Sequence, residues 1–202
     1  MPNRQLFPFS GELLPTDGSA IVIPGFIDAD SADNLFHFLL SSLHWEEPHL
    51  QMFGTDTIEP RLSSWYAENN MTYTYSGLTR IPRPWTPELL HTRELCETAA
   101  KQQFNGVLVN LYRNGADHLG WHADDETVNG PEPTIASLSL GAERRFDFRH
   151  RVTKEMVTTT LPHGSLLIMS GLSQKCWLHR VPKAPRLEIP RINLTFRHLI
   201  NR

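Results

Sequence analysis

From Phe104 onward the chain is a succession of short segments at strand spacing, and no other feature constrains its fold as tightly. Runs at 106–112, 134–140, 144–150, 155–161, 165–170, 175–181 and 191–199 carry the β-branched, leucine and aromatic content of strands. Turn formers separate them: Asn114-Gly115, Asn129-Gly130-Pro131 and Pro162-His163-Gly164. Short strands so punctuated predict a sandwich or a jelly roll. Upstream, an apolar strand is expected over 20–23. A helix should follow, capped by Asp30 or Ser31, with Phe36, Leu39, Leu40 and Leu43 at i, i+3, i+4, i+7. A second helix should begin at Thr86, with Pro87 where a missing N–H costs nothing, and run to about Gln103. Between them, 46–84 is polar and turn-rich, with strands expected near 49–53 and 72–76. The expected fold class is mainly β with flanking α-helices.

The 202 residues suit one well-buried domain and are short for two, and neither repeats nor a linker divide them. A hydrophobic share of 40% with 20% charged residues excludes disorder. Two cysteines, Cys96 and Cys176, cannot build a disulfide framework, which points to a reducing compartment. The first 18 residues lack a basic head followed by an apolar core, and no apolar run approaches membrane-spanning length. A soluble, cytoplasmic, monomeric protein with no membrane partner is expected.

The net charge of −3 hides an uneven distribution. Residues 143–202 hold 12 Lys/Arg against 4 Asp/Glu, a balance of +8. The preceding 142 hold 7 against 18, a balance of −11. A basic last third can face an anionic polymer, although arginines on the solvent side of strands would give the same count.

His122-Ala123-Asp124 sets an imidazole and a carboxylate two residues apart, and in extended chain both leave the same face. Two histidines and a carboxylate on one side of a metal leave three positions open, the arrangement of non-haem Fe(II) oxygenases. An isolated His-x-Asp pair is weak, because ten histidines guarantee chance pairings. The closing strand adds weight. Arg191, Asn193, Thr195 and Arg197 share one face and Ile192, Leu194 and Phe196 the other. Arginines lining the interior of a jelly roll need an anion, which a dicarboxylate co-substrate supplies. In 106–112, Leu108, Asn110 and Tyr112 share a face, and one strand could lead from them to His122. For a third ligand, His179 lies in a predicted strand. His150 and His163 compete, the latter in a Pro-His-Gly turn, and context favours His179.

The run Asn110-Leu111-Tyr112-Arg113-Asn114-Gly115-Ala116-Asp117-His118-Leu119-Gly120-Trp121-His122-Ala123-Asp124-Asp125-Glu126 resembles the iron-binding signature of the AlkB family of nucleic-acid dealkylating dioxygenases. Pro190 to Arg197 resembles that family's closing 2-oxoglutarate motif. Ser137-Leu138-Ser139-Leu140-Gly141 and Phe146-Asp147-Phe148-Arg149-His150 have family counterparts in the same order. The resemblance spans roughly Phe53 to the end. It implies a double-stranded β-helix over 104–202, with Fe(II) held by His122, Asp124 and His179. It assigns 2-oxoglutarate, spent with O2, to Asn110, Tyr112, Arg191, Asn193, Thr195 and Arg197.

Pro60-Arg61 and Thr72 to Gly77 resemble the nucleotide-recognition lid, here 46–84, of AlkB homologues that act on duplex DNA. The resemblance implies a flipped base sandwiched between Tyr75 and His122, its nucleotide held by Tyr73 and Ser76, and its polar edge met by Asp125 and Glu126. Met52-Phe53-Gly54 resembles a hairpin tip whose aromatic ring, Phe53, fills the gap left in the duplex. The family follows that glycine with a basic residue, whereas this chain has Thr55-Asp56. The implied activity is oxidative demethylation of 1-methyladenine or 3-methylcytosine in alkylated DNA, yielding formaldehyde and succinate. The alternatives are the same chemistry on methylated RNA or a protein side chain, and a nucleic-acid-binding module without catalysis.

Overall fold

Burial decides which sheet each strand joins. In the computed structural model, which describes residues 11–47, 49–52, 55–68, 71, 73–75 and 78–200, two antiparallel sheets face each other. Of 49–52, 55–57, 73–75, 78 and 79 only the backbone is described. The larger sheet runs in the order β1 (Ser19–Ile23), β12 (Ser165–Ser170), β9 (Ile135–Gly141), β14 (Arg191–Arg197), β7 (Gly106–Tyr112) and β4 (Leu62–Ala67). The smaller runs β11 (Met156–Leu161), β10 (Arg144–His150), β13 (Trp177–Val181) and β8 (Leu119–His122). From β7 to β14 the chain places four strands in each sheet, crossing between them repeatedly, which is the jelly roll expected.

β7 and β14 are buried at every position because the larger sheet is covered on both sides. Its outer face, with Val107, Val109, Leu138, Ile192, Leu194 and Phe196, packs against α1 (Ala29–Ser42) and α2 (Pro87–Ala100) through Phe36, Leu39, Leu89 and Cys96. Its inner face meets the smaller sheet, where Tyr112, Ile135, Leu167 and Met169 pack with Phe146, Phe148, Trp177 and Val181. Truncating a wholly buried ring such as Phe196 to alanine costs about 3–5 kcal/mol. β11 alternates between exposed and covered positions, as a strand with one wet face does. The apolar side of β14 therefore faces the helices, and Arg191, Asn193, Thr195 and Arg197 face the interior.

Several local expectations shift. The cap of α1 is Asp28, whose carboxylate accepts the Ser31 N–H at 2.9 Å, and Asp30 falls in the first turn where it complements the helix dipole. Thr86 caps α2 as expected, but the helix stops at Ala100 because Lys101 turns left-handed at φ 53° and Glu97 accepts the Phe104 N–H. The run at 175–181 becomes a strand only from Trp177; before it lies one helical turn, α3 (Ser173–Cys176). The last strand ends at Arg197, after which the Asn105 side chain takes both backbone groups of Leu199. Within 46–84, β2 (His49–Met52) pairs with β3 (Thr55–Ile58), and β5 (Tyr73–Tyr75) with β6 (Leu78–Arg80). No described helix is long and apolar enough to cross a membrane.

Candidate functional site

His122 ends β8 and His179 stands opposite it in β13, so sheet pairing sets their rings 4.2 Å apart between centroids. Asp124 lies two residues beyond the end of β8, where the chain turns inward. Ligand atoms of His122, Asp124 and His179 all lie within 4.8 Å of one another. Two imidazoles and a carboxylate so gathered are the donor set for a divalent transition metal. Among the described residues no other group of three or more His, Cys, Asp or Glu side chains gathers so closely. His150 instead faces Asp17 at 3.3 Å and His163 faces Asp33 at 3.3 Å, so neither competes as the third ligand.

The expectation of one strand running from Tyr112 to His122 fails. β7 belongs to the larger sheet and β8 to the smaller, and residues 113–118 cross between them. The site is thus built from both walls of the roll.

Protonation suits metal binding. His122 Nδ1 contacts the Gly120 carbonyl at 2.8 Å; a carbonyl only accepts, so Nδ1 carries the proton and Nε2 keeps its lone pair. Burial, and then the neighbouring His122, pulls His179 down to about 3, so it is neutral in the folded chain. Burial lowers His122 as well, against the pull of Asp124. Burial alone would raise Asp124, but Arg197, His179 and His122 override it and hold the carboxyl well below the usual carboxylate range. Arg197 Nη2 donates to Asp124 Oδ1 at 2.7 Å.

One pocket takes in His122, Asp124, His179, Asn110, Tyr112, Asn193, Thr195 and Arg197. Its polar lining is knit together. Thr195 donates to Asn193 Oδ1 at 3.0 Å, and Asn193 Nδ2 donates to Ser137 Oγ at 2.8 Å. Arg191 lies outside that lining, its guanidinium 5.2 Å from the centre of the Tyr112 ring. It is 1% exposed, and its Nη2 donates to Ser139 Oγ at 2.9 Å, while among the described residues Nε and Nη1 meet no well-placed acceptor. Burial pulls its pKa down to about 10, with the Tyr112 contact opposing. A buried guanidinium with donors to spare is chemically suited to a carboxylate.

Arg61, in the segment expected to form the lid, is part of the pocket wall. It lines the central pocket, 4% exposed, and its Nε donates to Asn110 Oδ1 at 3.1 Å. Glu59, also buried, sits 3.1 Å from Arg61 Nη2 and 3.8 Å from Arg80 Nη2, tying the end of β6 to the pocket wall. Tyr73 and Tyr75 lie in β5, facing Arg80 and Leu78 in register. Phe53 and Ser76 fall outside the described residues. Asp125 pairs with Arg151 at 2.6 Å and Glu126 accepts from Asn129 at 2.8 Å; neither lines the pocket.

Two further buried residues brace the site without belonging to any motif. Arg144 is 2% exposed and donates to the carbonyls of Asp117 and Pro182, holding two loops together beside Tyr112. Adjacent Arg144 and Arg145 must leave opposite faces of a strand, which is a signal that one of them is interior. Gln174 accepts the Asp124 N–H at 2.9 Å, and nothing local in the chain announces it.

Residues 19–197 match the model of the 2OG-Fe(II) oxygenase superfamily. The chain is 42% identical over 194 residues to alpha-ketoglutarate-dependent dioxygenase alkB homolog 3 of Bos taurus, covering 91% of this chain and 67% of that one. It is 42% identical over 181 residues to DNA oxidative demethylase ALKBH2 of Mus musculus, covering 84% and 75%. The solved structure of OsALKBH1 shares the fold with a TM-score of 0.60 at 16% identity, over 89% of this chain and 97% of that one. With the His122–Asp124–His179 cluster in place, the chain belongs to the 2OG-Fe(II) oxygenase superfamily and within it to the AlkB homologues, and its cofactor set is Fe(II) with 2-oxoglutarate and O2 as co-substrates.

Proposed function

We propose that this chain is an oxidative demethylase of N-alkylated bases in DNA, with 1-methyladenine and 3-methylcytosine as substrates. The observation that carries the reading is the convergence of two neutral imidazoles and one ionised carboxylate on the pocket that Tyr112, Asn193 and Arg197 also line. The names of two relatives, DNA oxidative demethylase and alpha-ketoglutarate-dependent dioxygenase, support the choice of reaction.

His122, Asp124 and His179 would hold Fe(II). Asn110, Tyr112, Arg191, Asn193, Thr195 and Arg197 would bind 2-oxoglutarate, with the spare Arg191 donors meeting one of its carboxylates. The iron held there would supply oxidation of an N-methyl group by O2, coupled to conversion of 2-oxoglutarate to succinate and CO2, and the hydroxymethyl product would lose formaldehyde. Arg197 keeps Asp124 ionised and aimed. Phe146 stacks 5.4 Å from the His179 ring and keeps water from that side.

Alkylation on the pairing edge weakens the base pair, so extruding the damaged base is cheap. Within 46–84 the hairpins β2–β3 and β5–β6 would act as the lid over the catalytic core, 104–202, with β4 anchoring them to the larger sheet, Tyr73, Tyr75 and Ser76 around the base and Phe53 as the wedge. Asp125 and Glu126, next to Asp124, would suit the positive ring of such lesions if substrate draws them from Arg151 and Asn129 toward the pocket. Free Cys96 and Cys176 fit a monomer working in the cytoplasm.

The test is incubation with Fe(II), ascorbate and 2-oxoglutarate on 1-methyladenine oligonucleotides, single- and double-stranded. Loss of the methyl mass that His122→Ala abolishes is the expected result. Succinate formation on unchanged oligonucleotides would retain the oxygenase and reject the substrate. Failure of both in iron-loaded protein would favour a nucleic-acid-binding module.

A further inference from the structure

Asp124 has no strand partner, because β8 ends at His122, yet it is 3% exposed. A buried backbone N–H without an acceptor is costly, so the loop needs an acceptor to hold Asp124 inside. Gln174 supplies it. Its Oε1 accepts the Asp124 N–H at 2.9 Å, and the side chain is itself fixed. Gln174 is 1% exposed, and its Nε2 contacts Ser173 Oγ at 3.3 Å and Met169 Sδ at 3.6 Å. From the other side Asn129 Nδ2 reaches the Asp124 carbonyl at 3.3 Å.

The position of Gln174 in the chain matters as much as its bond. It lies in α3, which runs directly into β13, five residues before His179. One short element therefore carries the third ligand and the clamp on the second. Sheet pairing already ties His179 to His122, and the Gln174 amide ties it to Asp124. All three ligands are then referred to the α3–β13 segment.

We propose that Gln174 is a positioning residue for the metal centre, fixing the Asp124 peptide so that its carboxylate meets the metal together with His179. The proposal rests on the ligand assignment above. Its work is done through the peptide, before any substrate binds.

Gln174→Met keeps the length and removes the acceptor; Gln174→Glu keeps an acceptor oxygen. In anaerobic titrations of the full chain, Gln174→Met should weaken Fe(II) binding about 10- to 100-fold, the usual effect of removing a group that orients a ligand. It should also alter the visible spectrum of the Co(II)-loaded protein, and Gln174→Glu should restore both. Wild-type affinity and an unchanged Co(II) spectrum in Gln174→Met would overturn the proposal. Hydrogen exchange on the wild-type, metal-free protein tests it without any variant. The Asp124 amide should be protected like a strand amide, and exchange at the rate of an open loop contradicts the clamp. Should His122→Ala and Asp124→Ala both bind Fe(II) as the wild type does, the ligand assignment itself has failed, and Gln174 loses its role with it.

Discussion

Arg197 Nη2 lies 2.7 Å from Asp124 Oδ1 across 73 residues of chain, with both side chains 4% exposed. The arginine that closes the 2-oxoglutarate motif thus also grips a proposed ligand of the metal. On the proposed assignment, co-substrate binding and metal binding would meet in one guanidinium.

Removing that guanidinium strands a buried carboxylate. Arg197→Met is expected to destabilise the metal-free protein by about 3–5 kcal/mol, the range for breaking a buried pair from one side. Bound metal should recover part of the loss by supplying positive charge to Asp124. Urea unfolding with chelator and with Fe(II) under argon measures both. A loss below about 1 kcal/mol in chelator would mean that the pair is not the anchor its geometry indicates.

The histidines set a pH dependence of definite sign. His179, held down to about 3, stays neutral in the folded chain, whereas the unfolded chain takes a proton near pH 6.5. Its contribution is complete above about pH 6.5 and is lost as pH falls toward 3. Asp124, also depressed, acts in the same direction lower down, through the ordinary carboxylate range and below. Metal-free protein should therefore lose about 1 kcal/mol of stability per pH unit through His179 between pH 6 and 4. His179→Gln should remove that part of the slope, and equal slopes in the two proteins would contradict a buried neutral His179.

Arg191 separates binding from stability. Its unused Nε and Nη1 are a cost in the free protein and an asset once a carboxylate arrives. Arg191→Met should leave the ligand-free melting temperature at or above that of the wild type. It should also abolish the stabilisation by 2-oxoglutarate, which at a hundredfold excess over Kd amounts to about 2.7 kcal/mol. Fe(II) binding should survive. Thermal melts with and without 2-oxoglutarate check all of this, and a variant still stabilised by the co-substrate would move the carboxylate site elsewhere.

The parts legible in the chain were those with a local signature. β7 and β14 have clean two-residue alternation and carry the polar positions of the pocket, and His122-x-Asp124 announces itself. β4, with Leu62–Ala67 buried on nearly every position, sits in a stretch too polar to read as a strand, and β8 is only four residues long. Arg61 against Asn110, Arg144 across two loops and Gln174 against Asp124 are pairings over 27 to 50 residues, made by topology. No periodicity encodes such contacts. They follow only once both sheets are in place.

The most direct measurement counts three products in one reaction on a 1-methyladenine oligonucleotide: methyl groups lost, formaldehyde released and succinate formed. Equal amounts of all three, with none in Asp124→Ala, are what the His122–Asp124–His179 centre predicts. Methyl loss persisting in Asp124→Ala would contradict the centre, and succinate accumulating without methyl loss would contradict the alkylated base as its substrate.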